Sequence, residues 1–275
     1  MSAAPQAAAR QRVALIGLGA IGQRLAAMLL ARPDAFELVG ALVFDAAQGA
    51  RDVPALAPLL VADAAALLAC RPDVVVECAG HQAVDAHVET VLRGGCDLVL
   101  VSVGSLADAA RLARLDAAAR AGACQVQLVS GAIGGLDWLG AAHSAGLDEV
   151  TYRGRKPPQA WLGTAAAERV DLASLQAATC FFRGSAREAA TLFPLNANVA
   201  ATVGLATLGL DLTRVELWAD PGVRDNVHEV EAQGAAGQLT LRLINRPDPQ
   251  NPRTSQITAH SALHTLLRRR AAVAL

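Results

Sequence analysis

Short apolar runs and longer helix-forming stretches take turns through the first half of the chain. The runs at 12–16, 36–44, 74–78, 97–102 and 125–129 are rich in Val, Leu and Ile. Between them, 23–31, 55–69, 83–93 and 107–121 carry helix formers, and the first of these meets no breaker until Pro33. Apolar strands that are each followed by a helix predict a parallel sheet covered on both faces.

The second half has a different rhythm. Residues 148–155, 176–183, 214–219, 226–233 and 238–245 read as strands, the last two joined as a hairpin across Gly234 to Gly237. Ser185-Ala186-Arg187-Glu188 has the capping-box spacing and predicts a short helix ending near Pro194. An apolar helix over 199–210 and a last helix from Thr254 onward complete the pattern, the latter expected to pack on the first domain. A mixed or antiparallel sheet with a few helices follows, and hence a second domain. No internal repeat is present.

Gly17-Leu18-Gly19-Ala20-Ile21-Gly22 sits between the first strand and the first helix. In that context Gly17 allows a tight turn, Gly19 lets a pyrophosphate approach the backbone, and Gly22 permits close helix–sheet packing. The helix N-terminus adds free N–H groups and the positive end of its dipole. Asp45 closes the next strand 23 residues after Gly22, near the roughly 20-residue spacing of a ribose-binding carboxylate. A carboxylate there favours NAD over NADP, while the neighbouring Arg51 pulls toward NADP. The fold class is therefore α/β, with an N-terminal Rossmann dinucleotide-binding domain over 1–130 and 250–275. An α+β domain with a mixed sheet covers 131–249.

Composition narrows the function. The 275 residues are 53% hydrophobic and 18% charged, enough for a substantial core and too apolar for a mostly disordered chain. A net charge of -1 and 3% aromatic residues argue against nucleic acid or an anionic membrane as partner. The five cysteines form no CxxC pair and read as reduced, mostly buried thiols; no metal site is expected. Mean hydropathy is +0.33. However, the longest uncharged stretch, 189–210, is broken by Pro194, Asn196 and Asn198 and does not read as a spanning helix. The Ala-rich tail at 1–10 lacks the apolar core of a signal peptide, so a soluble, cytoplasmic protein is expected.

A nicotinamide enzyme also needs an acid/base group. His260 and His264 lie at i, i+4 on the last helix without a nearby acid, and read as surface residues. His87 and His143 read as structural. His81 follows the strand 74–78, where cofactor contacts occur. His228 is the most informative, because strand alternation puts it on the apolar face with Val230 and Ala232, opposite Glu229 and Glu231. Periodicity leaves two readings open there, a satisfied core histidine or a catalytic one. Lys156 is the single lysine among 24 basic residues. It reads as a cation for a substrate carboxylate, or else as a surface lysine or partner of Glu168.

Several motifs occur together in order: the glycine motif, Ser130-Gly131-Ala132-Ile133-Gly134-Gly135-Leu136-Asp137, Arg155-Lys156-Pro157-Pro158, Phe193-Pro194-x-Asn196-x-Asn198, Asn226-x-His228-Glu229, and Asn251-Pro252-x-Thr254-Ser255. The combination resembles the L-aspartate dehydrogenase family over about residues 12–265. The resemblance implies oxidation of L-aspartate with NAD or NADP to iminoaspartate, which hydrolyses to oxaloacetate and ammonia, and a link to NAD biosynthesis. It implies a homodimer in which the second domain binds substrate and dimerises. By the resemblance His228 is the catalytic residue, and Ala132 and Asn198 are cofactor contacts beside Gly17, Gly19, Ala20, Ile21, Gly22 and Asp45. Asn198 has a second possible role as the cap of the helix that follows. Aspartate carries two carboxylates, which call for cationic or N–H donors; Lys156, Asn226, Thr254 and Ser255 are the candidates. The competing readings are a dihydrodipicolinate-reductase-like or homoserine-dehydrogenase-like oxidoreductase, and a nucleotide-binding sensor without turnover.

Overall fold

The computed structural model describes residues 9–273. The greater part of the Ala-rich N-terminal tail (residues 1–8) and the last two residues lie outside that description. The chain forms two compact units, one of residues 9–101, 114–127 and 262–273, the other of 102–113 and 128–261.

This division departs from the sequence-based boundaries in three segments, 102–113, 128–130 and 250–261, which all group with the second unit. Polar contacts tie 102–113 and 250–261 to that unit. Gly104 N donates to Asn198 Oδ1 (2.8 Å), Gly131 N donates to Ser261 Oγ (3.0 Å), and Arg253 O accepts from Lys156 Nζ (2.8 Å).

The first unit runs β1 (Gln11–Ile16), α1 (Ala20–Leu30), β2 (Phe36–Leu42), α2 (Ala46–Asp52), β3 (Leu60–Val61), α3 (Ala64–Ala69) and β4 (Val74–Glu77). It continues through α4 (His81–Ala83), a π-helical turn (Val84–Val88), α5 (Glu89–Arg93), β5 (Asp97–Leu100), α6 (Ala109–Ala121) and β6 (Val126–Leu128), the last two of which extend into the second unit. The sheet order is β3-β2-β1-β4-β5-β6, and the pairs β1–β2, β1–β4, β2–β3 and β4–β5 are parallel. This is the doubly wound order, whose direction reverses beside β1. The β-branched and leucine runs of β1, β4 and β5 are buried on both faces, as a sheet covered by helices on each side demands. The helix expected over 55–69 is broken. Pro54 and Pro58 lack the N–H an α-helix needs, so 54–59 winds as a 3-10 turn. Asp63 then restarts the chain as α3 by accepting from Ala66 N at 2.8 Å.

The second unit contains α7 (Leu136–Ala145), β7 (Leu147–Lys156), β8 (Thr179–Ser185), α8 (Ala186–Leu192), α9 (Asn198–Ala206), β9 (Arg214–Ala219), β10 (Asn226–Gly234) and β11 (Gly237–Asn245). Then comes α10 (Ile257–Arg270), whose residues from Ala262 onward group with the first unit. The sheet is mixed, in the order β11-β10-β7-β9-β8, with β7–β9 parallel and the other three pairs antiparallel. The capping box at Ser185 and Glu188 forms with both hydrogen bonds. The apolar helix ends at Ala206, earlier than its hydropathy suggests. There Thr207 Oγ1 turns back to Val203 O, and Gly209 takes a positive φ of 87°.

Register assigns the two faces of this sheet. Val150, Tyr152 and Gly154 of β7 lie beside Ala232, Val230 and His228 of β10, and Tyr152, Gly154 and Lys156 lie beside Val215, Leu217 and Ala219 of β9. That face packs on α7, α8 and α9, whose many alanines let the helices come close. The opposite face is polar, with Arg153 paired to Glu216 (3.3 Å) and Glu231 (2.8 Å). No helix among the described residues is long and apolar enough to cross a membrane.

Candidate active site

The glycine turn of the first unit is built as the motif requires. Gly17 has φ 98°, and a Cβ there would stand 2.7 Å from Ala79 Cβ. A Cβ on Gly22 would lie 2.1 Å from Gly17 O, so the helix passes too close to the turn for any side chain. Around Gly19, by contrast, nothing among the described residues lies within 4 Å of a Cβ position. Gly19 is the N-cap of α1 and offers no capping side chain, and the first turn carries no acidic residue. The leading amides of α1, from Ala20 to Gly22, therefore lack an internal acceptor and suit a bound anion. The turn fits a dinucleotide pyrophosphate. Beneath it, Cys78 Sγ donates to Ile16 O and Gly17 O, and burial pushes this thiol far up.

Sequence reasoning passed over Glu77. Its carboxylate is fully buried at the end of β4 and accepts from Ala79 N and Gly80 N, both at 2.8 Å, fixing the loop that packs on Gly17. Asp45 lies three residues beyond the end of β2 and is exposed. Its Oδ1 accepts from Gln48 N (2.9 Å) as the N-cap of α2, and Arg51 donates to Gln48 Oε1 (2.7 Å).

The second unit gathers a buried polar cluster on the helix-packed face of its sheet. His228 is 2% exposed, Asn226 0% and Lys156 4%. Alternation along β10 puts Asn226 and His228 on one side, and the register sets His228 opposite Gly154 of β7. Asn226 Nδ2 donates to Ser255 Oγ (3.1 Å), while Asn226 Oδ1 has no partner among the described residues. His228 Nδ1 lies 2.7 Å from the hydroxyl of Tyr152, and His228 Nε2 has no partner among the described residues. Lys156 Nζ donates to Arg253 O and lies 5.5 Å from the centre of the Trp161 ring. Lys156 is thus neither a surface residue nor a partner of the exposed Glu168.

Burial dominates the electrostatics. It pulls Lys156 down to about 8, helped by the charge of Arg253. It pulls His228 down to about 3, helped by the charge of Lys156. At neutral pH the imidazole is therefore uncharged and the lysine is an ammonium.

Of the remaining candidates, Ser255 is buried in this cluster through Asn226, whereas Thr254 Oγ1 lies 3.5 Å from Asn251 Nδ2. The Ala132 carbonyl accepts from Asn245 Nδ2 (2.8 Å), and Asn245 is the β11 residue paired with Asn226. Ala132 is thereby linked to the same end of the strand pair. Asn198 does not cap its helix; the N-cap is Ala197, and Asn198 Oδ1 is taken by Gly104 N. His143, His260 and His264 are exposed. Tyr152 and Arg253 were not among the candidates. The signal for Tyr152 was its parity with Lys156 along one strand; the Arg253 carbonyl leaves no mark in sequence.

Residues 137–269 match the family model "Aspartate dehydrogenase, C-terminal", and residues 17–128 match "Homoserine dehydrogenase, NAD binding domain". The L-aspartate dehydrogenase of Cupriavidus taiwanensis is 48% identical over 266 residues, covering 96% of this chain and 99% of the relative. The chain belongs to the L-aspartate dehydrogenase family. The family member from Pseudomonas aeruginosa is 51% identical over 196 residues, 71% of this chain and 73% of its own. The crystal structure of aspartate dehydrogenase from Thermotoga maritima superposes with a TM-score of 0.72 at 26% identity, covering 97% of this chain and all of that one. The family is one of oxidoreductases, and the first unit is its NAD(P)-binding domain.

Proposed function

We propose that the buried cluster of the second unit holds L-aspartate, and that His228 is its proton-handling residue in NAD(P)-dependent oxidation. The product is iminoaspartate, which water converts to oxaloacetate and ammonia. One observation carries this reading: His228 Nε2 and Asn226 Oδ1 are buried without a partner among the described residues, on one face of β10, in a sheet that also buries Lys156. Buried polar groups are normally satisfied, so such atoms point to a ligand that completes them.

The chemistry of aspartate matches these groups. The Lys156 ammonium suits a carboxylate, and the Asn226 carbonyl accepts from an amine. Ser255 and Thr254 supply further hydroxyls. Gly17, Gly19, Ala20, Ile21 and Gly22 would hold the pyrophosphate and Asp45 the adenosine ribose, favouring NAD; Ala132 and Asn198 would contribute further cofactor contacts. Bound NAD(P) supplies the hydride acceptor. His228 serves the proton side: the amine loses a proton as the C=N bond forms, and water then adds to that bond.

Five free thiols suit the reducing cytoplasm. A homodimer completes the reading, and sedimentation velocity tests it. The function itself is tested by spectrophotometry, mixing protein with L-aspartate and NAD, then NADP. Reduced nicotinamide should form with L-aspartate and not with L-glutamate, L-alanine or L-homoserine. Dinucleotide binding without turnover on L-aspartate would overturn the proposal in favour of a sensor.

A further inference from the structure

The chain has a single tyrosine, Tyr152, and it is 1% exposed. It lies on β7 opposite Val230, one diagonal step from His228 on β10. The phenol and imidazole rings lie 22° from parallel with centroids 6.0 Å apart, and Tyr152 Oη is 2.7 Å from His228 Nδ1. The space between them depends on Gly154, the residue opposite His228. A Cβ at position 154 would stand 2.8 Å from Tyr152 Oη and 3.2 Å from Cε1 and Cζ of the ring. The strand carries a glycine where the phenol must lie across it.

We propose that Tyr152 is a positioning residue for His228: its hydroxyl donates to Nδ1 and fixes the imidazole in the tautomer that carries its proton on Nε2. The reasoning is an accounting of protons. A phenol with an ordinary pKa near 10 keeps its proton at neutral pH, so Tyr152 owns an O–H that must find an acceptor. Burial raises that pKa further. Among the described residues its one hydrogen-bond partner is His228 Nδ1. Were Nδ1 protonated, it would donate to Oη and leave the phenolic O–H buried without an acceptor, at a cost of about 1–3 kcal/mol. With Nδ1 as acceptor, the neutral imidazole has its one N–H on Nε2.

The consequence deepens the proposed function and rests on His228 meeting the substrate. Nε2 is the ring atom left without a partner among the described residues. In the assigned tautomer it offers a donor rather than a lone pair, so resting His228 meets a substrate oxygen as a neutral electrophile. A neutral histidine used in this way is known from triosephosphate isomerase. The ring can take up a proton at Nε2 only after it has given the Nε2 proton to a substrate oxygen and Nδ1 has become the protonated nitrogen that donates to Oη.

The test is a long-range ¹H–¹⁵N correlation spectrum of the full chain labelled at histidine, free of ligands and near neutral pH. The His228 signal is identified by its loss in His228→Gln. We expect a protonated Nε2 and an unprotonated Nδ1 in the wild type, a shift toward the Nδ1-protonated form in Tyr152→Phe, and at least a tenfold lower kcat in that variant. A wild-type His228 protonated on Nδ1 overturns the assignment without any variant. An unchanged tautomer or an unchanged kcat in Tyr152→Phe overturns the role of Tyr152. The spectrum is read without substrate, so it stands apart from the question of whether His228 meets aspartate, which the turnover of His228 variants decides.

Discussion

Acid should loosen the second unit through one residue. Burial and the Lys156 charge hold His228 at about 3 in the folded protein, against 6.5 for a free histidine. The unfolded chain therefore takes up a proton as pH falls through 6.5, and the folded chain does not until about 3. Stability from this group is complete above pH 6.5 and is lost progressively down to about 3. At 1.36 kcal/mol per pH unit, the loss reaches about 3 kcal/mol by about pH 4.5 and about 5 kcal/mol at the lower limit. That is a large share of the roughly 5–15 kcal/mol that holds a domain together. The assay is urea unfolding followed by tryptophan fluorescence, because Trp138, Trp161 and Trp218 all belong to the second unit. Wild type and His228→Gln are compared at about pH 7.5 and about pH 4.5 at constant ionic strength, so that carboxylate titrations cancel in the difference. The wild type should lose about 3 kcal/mol more than the variant. Equal losses in the two proteins would show that His228 is not a buried neutral imidazole.

Three further substitutions probe the remaining parts. Gly22→Ala forces a Cβ to 2.1 Å from Gly17 O and should abolish dinucleotide binding, measured by quenching of intrinsic fluorescence; retained affinity would mean that the turn does not carry the pyrophosphate. Asp45→Ala should weaken NAD more than NADP, and an equal loss in titrations of both would remove Asp45 from the ribose. Lys156→Met should raise the KM for L-aspartate about 10–100-fold, the worth of one charge-assisted hydrogen bond. Because burial lowers Lys156 to about 8, the wild type gains stability from this group as pH rises from about 8 toward 10.5. The advantage of the methionine variant should therefore shrink over that range, and a constant difference in urea midpoints would contradict the buried ammonium.

The first unit was legible because its signals are local. A buried parallel strand needs a continuous apolar run, and the turn that follows needs glycine where a Cβ would strike backbone, so both leave plain marks at 12–22. The failure at 55–69 was also local: the apolar and helix-forming content of that stretch outweighed Pro58 and the capping Asp63 in the reading. The cluster around His228 was half legible. Alternation put His228 and Val230 on one face, and the resemblance of the surrounding motifs singled out Lys156, Asn226 and Ser255. What completes the cluster is long-range. Tyr152 reaches His228 across a strand pair 76 residues apart, and Lys156 meets a backbone carbonyl 97 residues away. The domain boundary failed for the same reason, since 102–113 joins the second unit through an amide bonded to Asn198 rather than through any local pattern.

The most direct test of the account is the turnover of His228→Asn on L-aspartate, measured beside its affinity for NAD by fluorescence titration. The account predicts that kcat falls by at least about a hundredfold, the usual share of a proton-handling group, while NAD affinity stays within about twofold of wild type. Turnover at the wild-type rate in a folded variant would take His228 out of the reaction and, with it, the buried cluster as the site of chemistry.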